Sequence, residues 1–336
     1  MQMHSINPAT GQIMQSFPLW QADQIDTALD RVESAQAGWA TLDFEQRAQC
    51  MRNLAQVFRH NSENYALMIT EEMGKLLKEA RAEIEKCAIG CEHYAEYAAT
   101  YLKDEIIASD ASRSVVVYQP LGVILCIMPW NFPFWQLIRA AAPALMAGNA
   151  VVLKHASNVP RCALALEQAF QQAGFPENIF RTFMISAEQA ERVIADRRIA
   201  AVTLTGSSAA GRKVAALAGQ HLKKCVLELG GSDPFIVLDD ADVEWTAQQA
   251  LIARLQNMGQ SCVAAKRFIL LESIADVFVE RLQTLVSQLQ SGDPKNAETT
   301  IAPMARMDLR SDLHAQVERS QALGAQLVTG GFPIGT

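Results

Sequence analysis

Apolar and polar positions along the chain fall into two rhythms. Through Leu102 the period is helical: after an extended start over residues 1–20, the pattern predicts helices over Gln21 to Thr41, Phe44 to Ser62 and Glu63 to Leu102. Leu29, Val32 and Ala35 recur at one helical spacing and Leu54, Val57 and Phe58 at another, which gives each helix a single apolar stripe. Beyond a polar stretch, Ser109 to Arg113, short β-rich runs take over at Ser114 to Tyr118 and Val123 to Met128. Pro129-Trp130-Asn131-Phe132-Pro133 then interrupts, and a helix over Phe134 to Met146 follows.

From Ala150 onward strands and helices alternate. Strands are predicted at Val151 to Lys154, Arg181 to Ile185, Ala200 to Thr205 and Lys224 to Leu229, with helices at Arg161 to Ala173, Glu188 to Ala195 and Ala209 to Ala218 between them. Such alternation implies right-handed crossovers and a largely parallel sheet covered on both faces, an open α/β nucleotide-binding layout. Gly230-Gly231 is a natural hinge into a second α/β unit. That unit reads as strand Phe235 to Leu238, helix Val243 to Leu255, a polar loop at Asn257 to Cys262 and strand Phe268 to Leu271. Helix Ile274 to Leu289, a loop at Ser291 to Pro303, helix Asp308 to Leu323 and strand Ala325 to Thr329 follow. The expected boundaries are therefore 1–229 and 230–336.

Size and charge narrow the function classes. A chain of 336 residues with 50% apolar content is long enough for two cores and predicts a well-buried globular protein. The net charge of −7 and the absence of a basic block argue against nucleic acid as a partner. Leu121 to Leu153 is the one apolar stretch of membrane-spanning length, but Pro129, Asn131, Pro133, Arg139, Pro143 and Asn149 interrupt it, so strand, loop, helix and strand are expected instead of a membrane span. The first residues lack a basic region followed by an apolar one, and the seven cysteines are odd in number and irregular in spacing; both point to reduced thiols and a cytoplasmic location. Cys87, Cys91 and His93 suggest a metal, but no second cluster completes a ligand set, and a packed helix interface explains them better.

Five stretches carry candidate chemistry, each with a plainer alternative. Cys262 lies in a tight polar loop between a helix and a strand, where a thiol is either a nucleophile or a buried structural cysteine. Asn131, held between two prolines at a strand end, is either a rigid amide donor for an oxyanion or part of a simple turn. Lys154-His155-Ala156-Ser157 ends one strand with an ammonium and a hydroxyl suited to ribose or phosphate. Thr205-Gly206-Ser207 ends another; it opens a helix towards a pyrophosphate, or merely caps it. Glu228 closes the last strand of the first unit as a general base or as a surface carboxylate.

Taken in order, Pro129-Trp-Asn-Phe-Pro, Lys154-x-x-Ser157, Thr205-Gly-Ser, Glu228-Leu-Gly-Gly and Asn257-x-Gly-Gln-x-Cys262 resemble the NAD(P)-dependent aldehyde dehydrogenase superfamily over essentially the whole chain. The interval between Glu228 and Cys262 is the one that family keeps. The resemblance implies a Rossmann-type cofactor domain and a second α/β catalytic domain. It makes Cys262 the nucleophile, Glu228 the base for a deacylating water, and Asn131 an oxyanion donor beside the backbone N–H of Cys262. By the same resemblance Trp130, Asn131, Lys154, His155, Ala156, Ser157, Gly206, Ser207 and Leu229 line the site of NAD or NADP. Arg139 matches an arginine with which succinate-semialdehyde dehydrogenases hold the substrate carboxylate, while Gln256 stands where a second arginine is expected. Ser157 occupies a position where members preferring NAD commonly carry Glu, so both cofactors are expected to be accepted.

Family members run further, through a Glu-x-Phe-Gly-Pro strand and a last strand that pairs with a neighbouring subunit. The resemblance thus implies a C-terminally truncated chain, an incomplete second domain, an assembly hairpin at about 104–118 without its usual partner, and poor folding or weak cofactor binding for the chain ending at Thr336. A homo-oligomer, dimer or tetramer, is expected of a full-length protein. The expected reaction is oxidation of succinate semialdehyde to succinate, with glyceraldehyde 3-phosphate as an alternative substrate. Two other classes stay in view: a hydrolase pairing Cys262 with His155 or His221, and a non-catalytic binding module built on the same fold.

Overall fold

The computed structural model describes residues 2–334. The chain divides into two compact units: the N-terminal residues to Ser5, Ile13–Ile69 and Ala80–Leu229 form one, and Ile6–Gln12, Thr70–Glu79 and the residues from Gly230 onward form the other.

The chain opens with a two-stranded sheet, β1 (Gln2–Ile6) and β2 (Ile13–Pro18), and four helices, α1 (Ala22–Ala40), α2 (Phe44–His60), α3 (Ser62–Met73) and α4 (Leu77–Tyr101), of which the end of α3 and the start of α4 belong to the second unit. The expected stripes are the buried ones: Leu29 and Val32 on α1, Leu54 and Phe58 on α2. The Asp43 carboxylate accepts the Gln46 N–H and the Gln46 side chain accepts the Asp43 N–H, a reciprocal cap that fixes where α2 starts.

The single helix expected from Glu63 to Leu102 is two helices. Gly74 has φ +78°, a left-handed conformation that ends α3, and its N–H still reaches the Thr70 carbonyl. A Cβ at Gly74 would lie 2.9 Å from the Pro303 carbonyl oxygen. The break is made by the left-handed glycine, and packing within the second unit leaves no space for a larger residue there; an apolar period registers neither.

A short antiparallel hairpin, β3 (Glu105–Ile106) with β4 (Val115–Val116), follows; the strand expected over Ser114 to Tyr118 reduces to those two residues because its partner is equally short. Then comes the doubly wound part: β5 (Val123–Met128), α5 (Trp135–Met146), β6 (Ala150–His155), α6 (Pro160–Gln172), β7 (Phe180–Thr182), α7 (Ala187–Ala195), β8 (Ile199–Gly206), α8 (Ser208–Gln220) and β9 (Lys224–Leu229). All neighbouring pairs run parallel, in the order β7-β6-β5-β8-β9. Every residue of β6 but Lys154 is buried, as a strand covered on both faces requires. The strand expected at Arg181 to Ile185 ends at Thr182: Phe183 still donates to Leu153, but the Met184 carbonyl turns to the Trp20 N–H instead of to the sheet. No helix among the described residues is long and apolar enough to cross a membrane; the Leu121 to Leu153 stretch is β5, α5 and β6.

The second unit contains β10 (Asp233–Val237), α9 (Val243–Leu255), a 3₁₀ turn (Gln256–Gly259), β11 (Ala265–Leu270), α10 (Glu272–Ser287) and α11 (Met307–Ala322). Its two strands pair in parallel. Val237, Ala247, Ala250 and Phe278 form its buried centre, with Phe235, Phe268 and Leu282 against them. The strand expected at Ala325 to Thr329 is not formed: those residues are exposed and no described strand runs beside them, and an extended segment is a strand only when a ladder takes up its N–H and C=O groups.

Candidate active site

In an open parallel sheet ligands sit beyond the carboxyl ends of the strands where the strand order reverses. Here the reversal falls at β5, with β6 on one side and β8 on the other. The segments leaving those strands are Pro129 to Pro133, Ala156 to Val159 and Ser207, the stretches singled out from the sequence.

Two buried side chains hold the Pro129–Pro133 turn. Glu83 of α4 accepts the N–H groups of Phe134 and Trp135 at 2.9 and 3.0 Å, capping α5 with a carboxylate at its positive end. His155 places Nε2 at 2.8 Å from the Pro133 carbonyl, and its Nδ1 accepts the Ala156 N–H at 2.9 Å, so Nε2 carries the proton. Burial, together with the nearby Lys154 charge and against the Pro133 contact, pushes the His155 pKa down to about 4. His155 is a neutral brace between β6 and the Asn131 turn.

The cofactor question turns on the donor set. Burial lowers the Lys154 pKa while the charge of Glu188 opposes it. Ser157 is exposed and Ser207 caps α8 by accepting the Ala210 N–H. A Cβ at Gly206 would touch nothing nearer than Leu204 at 3.6 Å, whereas one at Gly211 would sit 2.6 Å from a Leu229 methyl. Gly211 thus lets α8 lie close on β9, and Gly206 leaves the helix start uncluttered. Ammonium, hydroxyls and a helix N-terminus are the partners that the phosphates and ribose of a dinucleotide require, and no carboxylate stands at Ser157 to repel an additional phosphate. These residues fit NAD or NADP.

Arg139, on α5 one turn beyond Trp135, places Nη2 3.2 Å from Oε2 of Glu228. The residues proposed as substrate anchor and as base are thus ion-paired across the first unit. No local pattern signals this pair, since three strands and three helices separate Arg139 on α5 from Glu228 on β9.

Cys262 belongs to the second unit, in a loop held at many points. Asn257, Met258 and Gly259 have φ +55°, +56° and +72°, three left-handed residues in succession that turn the chain sharply out of α9. Glu79 accepts the Asn257 N–H at 2.9 Å, and the Gln260 side chain accepts the Ala305 N–H. Ser261 to Ala264 is a turn closed by the Ala264 N–H on the Ser261 carbonyl, with Cys262 half-buried at its first corner. Lys266, to which the sequence alone assigns no role, reaches back from β11 to the carbonyls of Ser261, Cys262 and Ala264 at 3.1, 2.9 and 3.1 Å. Nothing in a lone lysine after a cysteine marks that role.

Cys87 and Cys91 are fully buried on α4, and burial pushes the Cys91 thiol well up. His93 instead faces the rings of Tyr97 and Tyr101, with Nε2 3.1 Å from the Tyr101 hydroxyl.

The chain resembles known proteins along its length. The model of the aldehyde dehydrogenase family matches residues 1–335. A protein of Synechocystis sp. named probable succinate-semialdehyde dehydrogenase, NADP(+), is 50% identical over 331 residues, 98% of this chain and 73% of the relative. The Escherichia coli (strain K12) succinate semialdehyde dehydrogenase Sad, named for NAD(P)+, is 47% identical over 97% of this chain and 71% of its own length. The crystal structure of succinic semialdehyde dehydrogenase from Streptococcus pyogenes in complex with NADP+ superposes with a TM-score of 0.97 at 36% identity, covering 99% of this chain and 73% of that one. With four of its ordered motifs at strand ends, its parallel sheet and these relatives, the chain belongs to the aldehyde dehydrogenase family.

Proposed function

We propose that this protein oxidises succinate semialdehyde to succinate with NADP or NAD, through covalent attachment of the substrate to Cys262. The observation that carries the proposal is the Cys262 loop: a half-buried thiol on a tightly fastened turn, in a chain whose relatives are named for this substrate. Arg139 adds a guanidinium suited to a carboxylate.

The Cys262 thiolate adds to the aldehyde carbon, and the oxyanion so formed takes hydrogen bonds from the Cys262 N–H and the Asn131 amide. Lys154, Ser157 and Ser207 hold the phosphates and ribose, with Trp130, His155, Ala156, Gly206 and Leu229 shaping and supporting that site. Bound NAD(P)+ supplies the hydride acceptor. Glu228 then takes a proton from the water that cleaves the thioester, restoring the thiol and releasing the carboxylate.

His155 weighs against a hydrolase in which it would activate Cys262, because both ring nitrogens are already engaged and burial keeps it neutral. The exposed hairpin of β3 and β4, with Ile106 84% exposed, supports assembly as a homo-oligomer.

The test is nucleotide reduction at 340 nm with succinate semialdehyde, glyceraldehyde 3-phosphate and butanal, each with NAD and NADP. Succinate semialdehyde is expected to give the highest kcat/KM, and Cys262→Ala to abolish turnover. Undiminished oxidation by Cys262→Ala would remove the covalent route, and a preference for glyceraldehyde 3-phosphate would remove the substrate assignment.

A further inference from the structure

We propose that Lys266 is the positioning residue that aims the Cys262 N–H and the Cys262 side chain at the reacting carbonyl. The inference rests on the reading of Cys262 as nucleophile and adds a residue that the reading does not contain.

An ammonium group has three donors and no acceptor. All three find carbonyl oxygens of one short turn: Ser261 at 3.1 Å, Cys262 at 2.9 Å and Ala264 at 3.1 Å. The consequence for Cys262 follows from the planarity of the peptide unit. In a trans peptide the C=O of one residue and the N–H of the next point in opposite directions, and the chain has no cis peptide bond among its described residues. Tying the Ser261 oxygen to Lys266 therefore turns the Cys262 N–H away from Lys266. Tying the Cys262 oxygen to the same ammonium fixes the next peptide plane as well. With the planes on both sides of its Cα set, the direction of the Cys262 Cβ is set too.

The N–H so directed is available. Cys262 is the first corner of the Ser261–Ala264 turn, a position whose N–H lies outside the turn's own hydrogen bond, and no acceptor among the described residues takes it. The neighbouring chain supports the same geometry: Gly231 comes close enough that a Cβ there would lie 3.5 Å from the Cys262 oxygen, on the carbonyl side of the turn. One face of the turn is thus filled with contacts to its carbonyls, and the Cys262 N–H points to the other.

An arginine cannot reproduce this arrangement. Its donors lie in one plane, whereas three carbonyls converging on one point require a compact, tetrahedral donor. Charge and geometry can therefore be separated by substitution.

Lys266→Met and Lys266→Arg are compared with the parent and with Cys262→Ala, all in the whole chain. Losing one oxyanion donor typically costs about 10²–10³ in kcat, so a misaimed one is expected to cost on the order of 10–100-fold. Both Lys266 variants are expected to lose that much kcat for succinate semialdehyde while KM stays within about threefold, since an oxyanion exists only after attack. Acylation of Cys262 by p-nitrophenyl acetate without any nucleotide forms the same kind of oxyanion and is expected to slow in parallel. Rates are counted per folded molecule, from thermal melting and thiol titration. The acid limb of the pH–rate profile is expected to stay in place.

Unchanged kcat per folded molecule in Lys266→Met would overturn the inference and leave Lys266 a structural clamp. A displaced acid limb that Lys266→Arg restores would overturn it in favour of a charge effect on the thiolate. Should Lys266→Met fail to fold, Lys266→Arg alone decides between the aiming role and a charge effect. Turnover surviving in Cys262→Ala would instead sink the nucleophile assignment, a result that no Lys266 variant imitates.

Discussion

Arg139 Nη2 stands 3.2 Å from Glu228 Oε2, joining a cation on α5 to the carboxylate near the end of β9. Their side chains are 31% and 54% exposed, so water screens the pair and its part in stability is small, about 0–1 kcal/mol. Its interest is chemical: a substrate carboxylate reaching Arg139 would compete with Glu228 for the same guanidinium. In Arg139→Met the KM for succinate semialdehyde is expected to rise on the order of 10–100-fold, the value of one charge-assisted contact, while that for butanal changes little. Equal effects on both aldehydes in steady-state assays would remove Arg139 from substrate recognition.

Replacing Glu228 by Gln keeps the shape and removes the base. Stopped-flow traces at 340 nm are expected to show a burst approaching one nucleotide reduced per site, then a steady rate lower by about 10²–10⁴-fold. A uniformly slow trace without a burst would place Glu228 before thioester formation.

Ser157 tests the cofactor. Ser157→Glu brings a carboxylate to a strand end that now presents a hydroxyl, and it is expected to raise the KM for NADP on the order of 10–100-fold through repulsion of the 2′-phosphate, with NAD affected little. If the KM values for both nucleotides rise together, Ser157 lies away from the ribose.

His155 predicts an acid limit to stability. Its pKa is about 4 in the fold against an ordinary value of 6.5, so the folded state resists protonation and the unfolded state accepts it. The unfolded chain therefore binds the extra proton between those values, and stability falls as pH drops from about 6.5 to about 4, by up to roughly 3 kcal/mol, with no further contribution from this group below. Urea unfolding at pH 7 and pH 5 checks this. His155→Gln, less stable at both, is expected to lose part of the pH dependence; an unaltered slope would assign the acid lability to other groups.

What was legible in the sequence was whatever local period and ordered motifs control. The stripe of Leu54 and Phe58, the β5-α5-β6 reading of Leu121 to Leu153 and the parallel alternation after Ala150 follow from side-chain spacing, because each element buries one face or both against its neighbours. The family was legible too, since five stretches in fixed order carry far more information than any one of them.

Tertiary structure alone decided what depends on residues distant in the chain. The Pro303 carbonyl leaves no room for a side chain at Gly74, where the left-handed backbone ends α3, and Ala325 to Thr329 is no strand because nothing described pairs with it. The Arg139–Glu228 pair, the double engagement of His155 and the grip of Lys266 on the Cys262 turn likewise arise from contacts that no local pattern encodes. The physical reason is the same throughout: periodicity reports which face of an element is apolar, while the partner of a charge or a hydrogen-bonding group is fixed only when the folded chain places one within a few ångströms of the other.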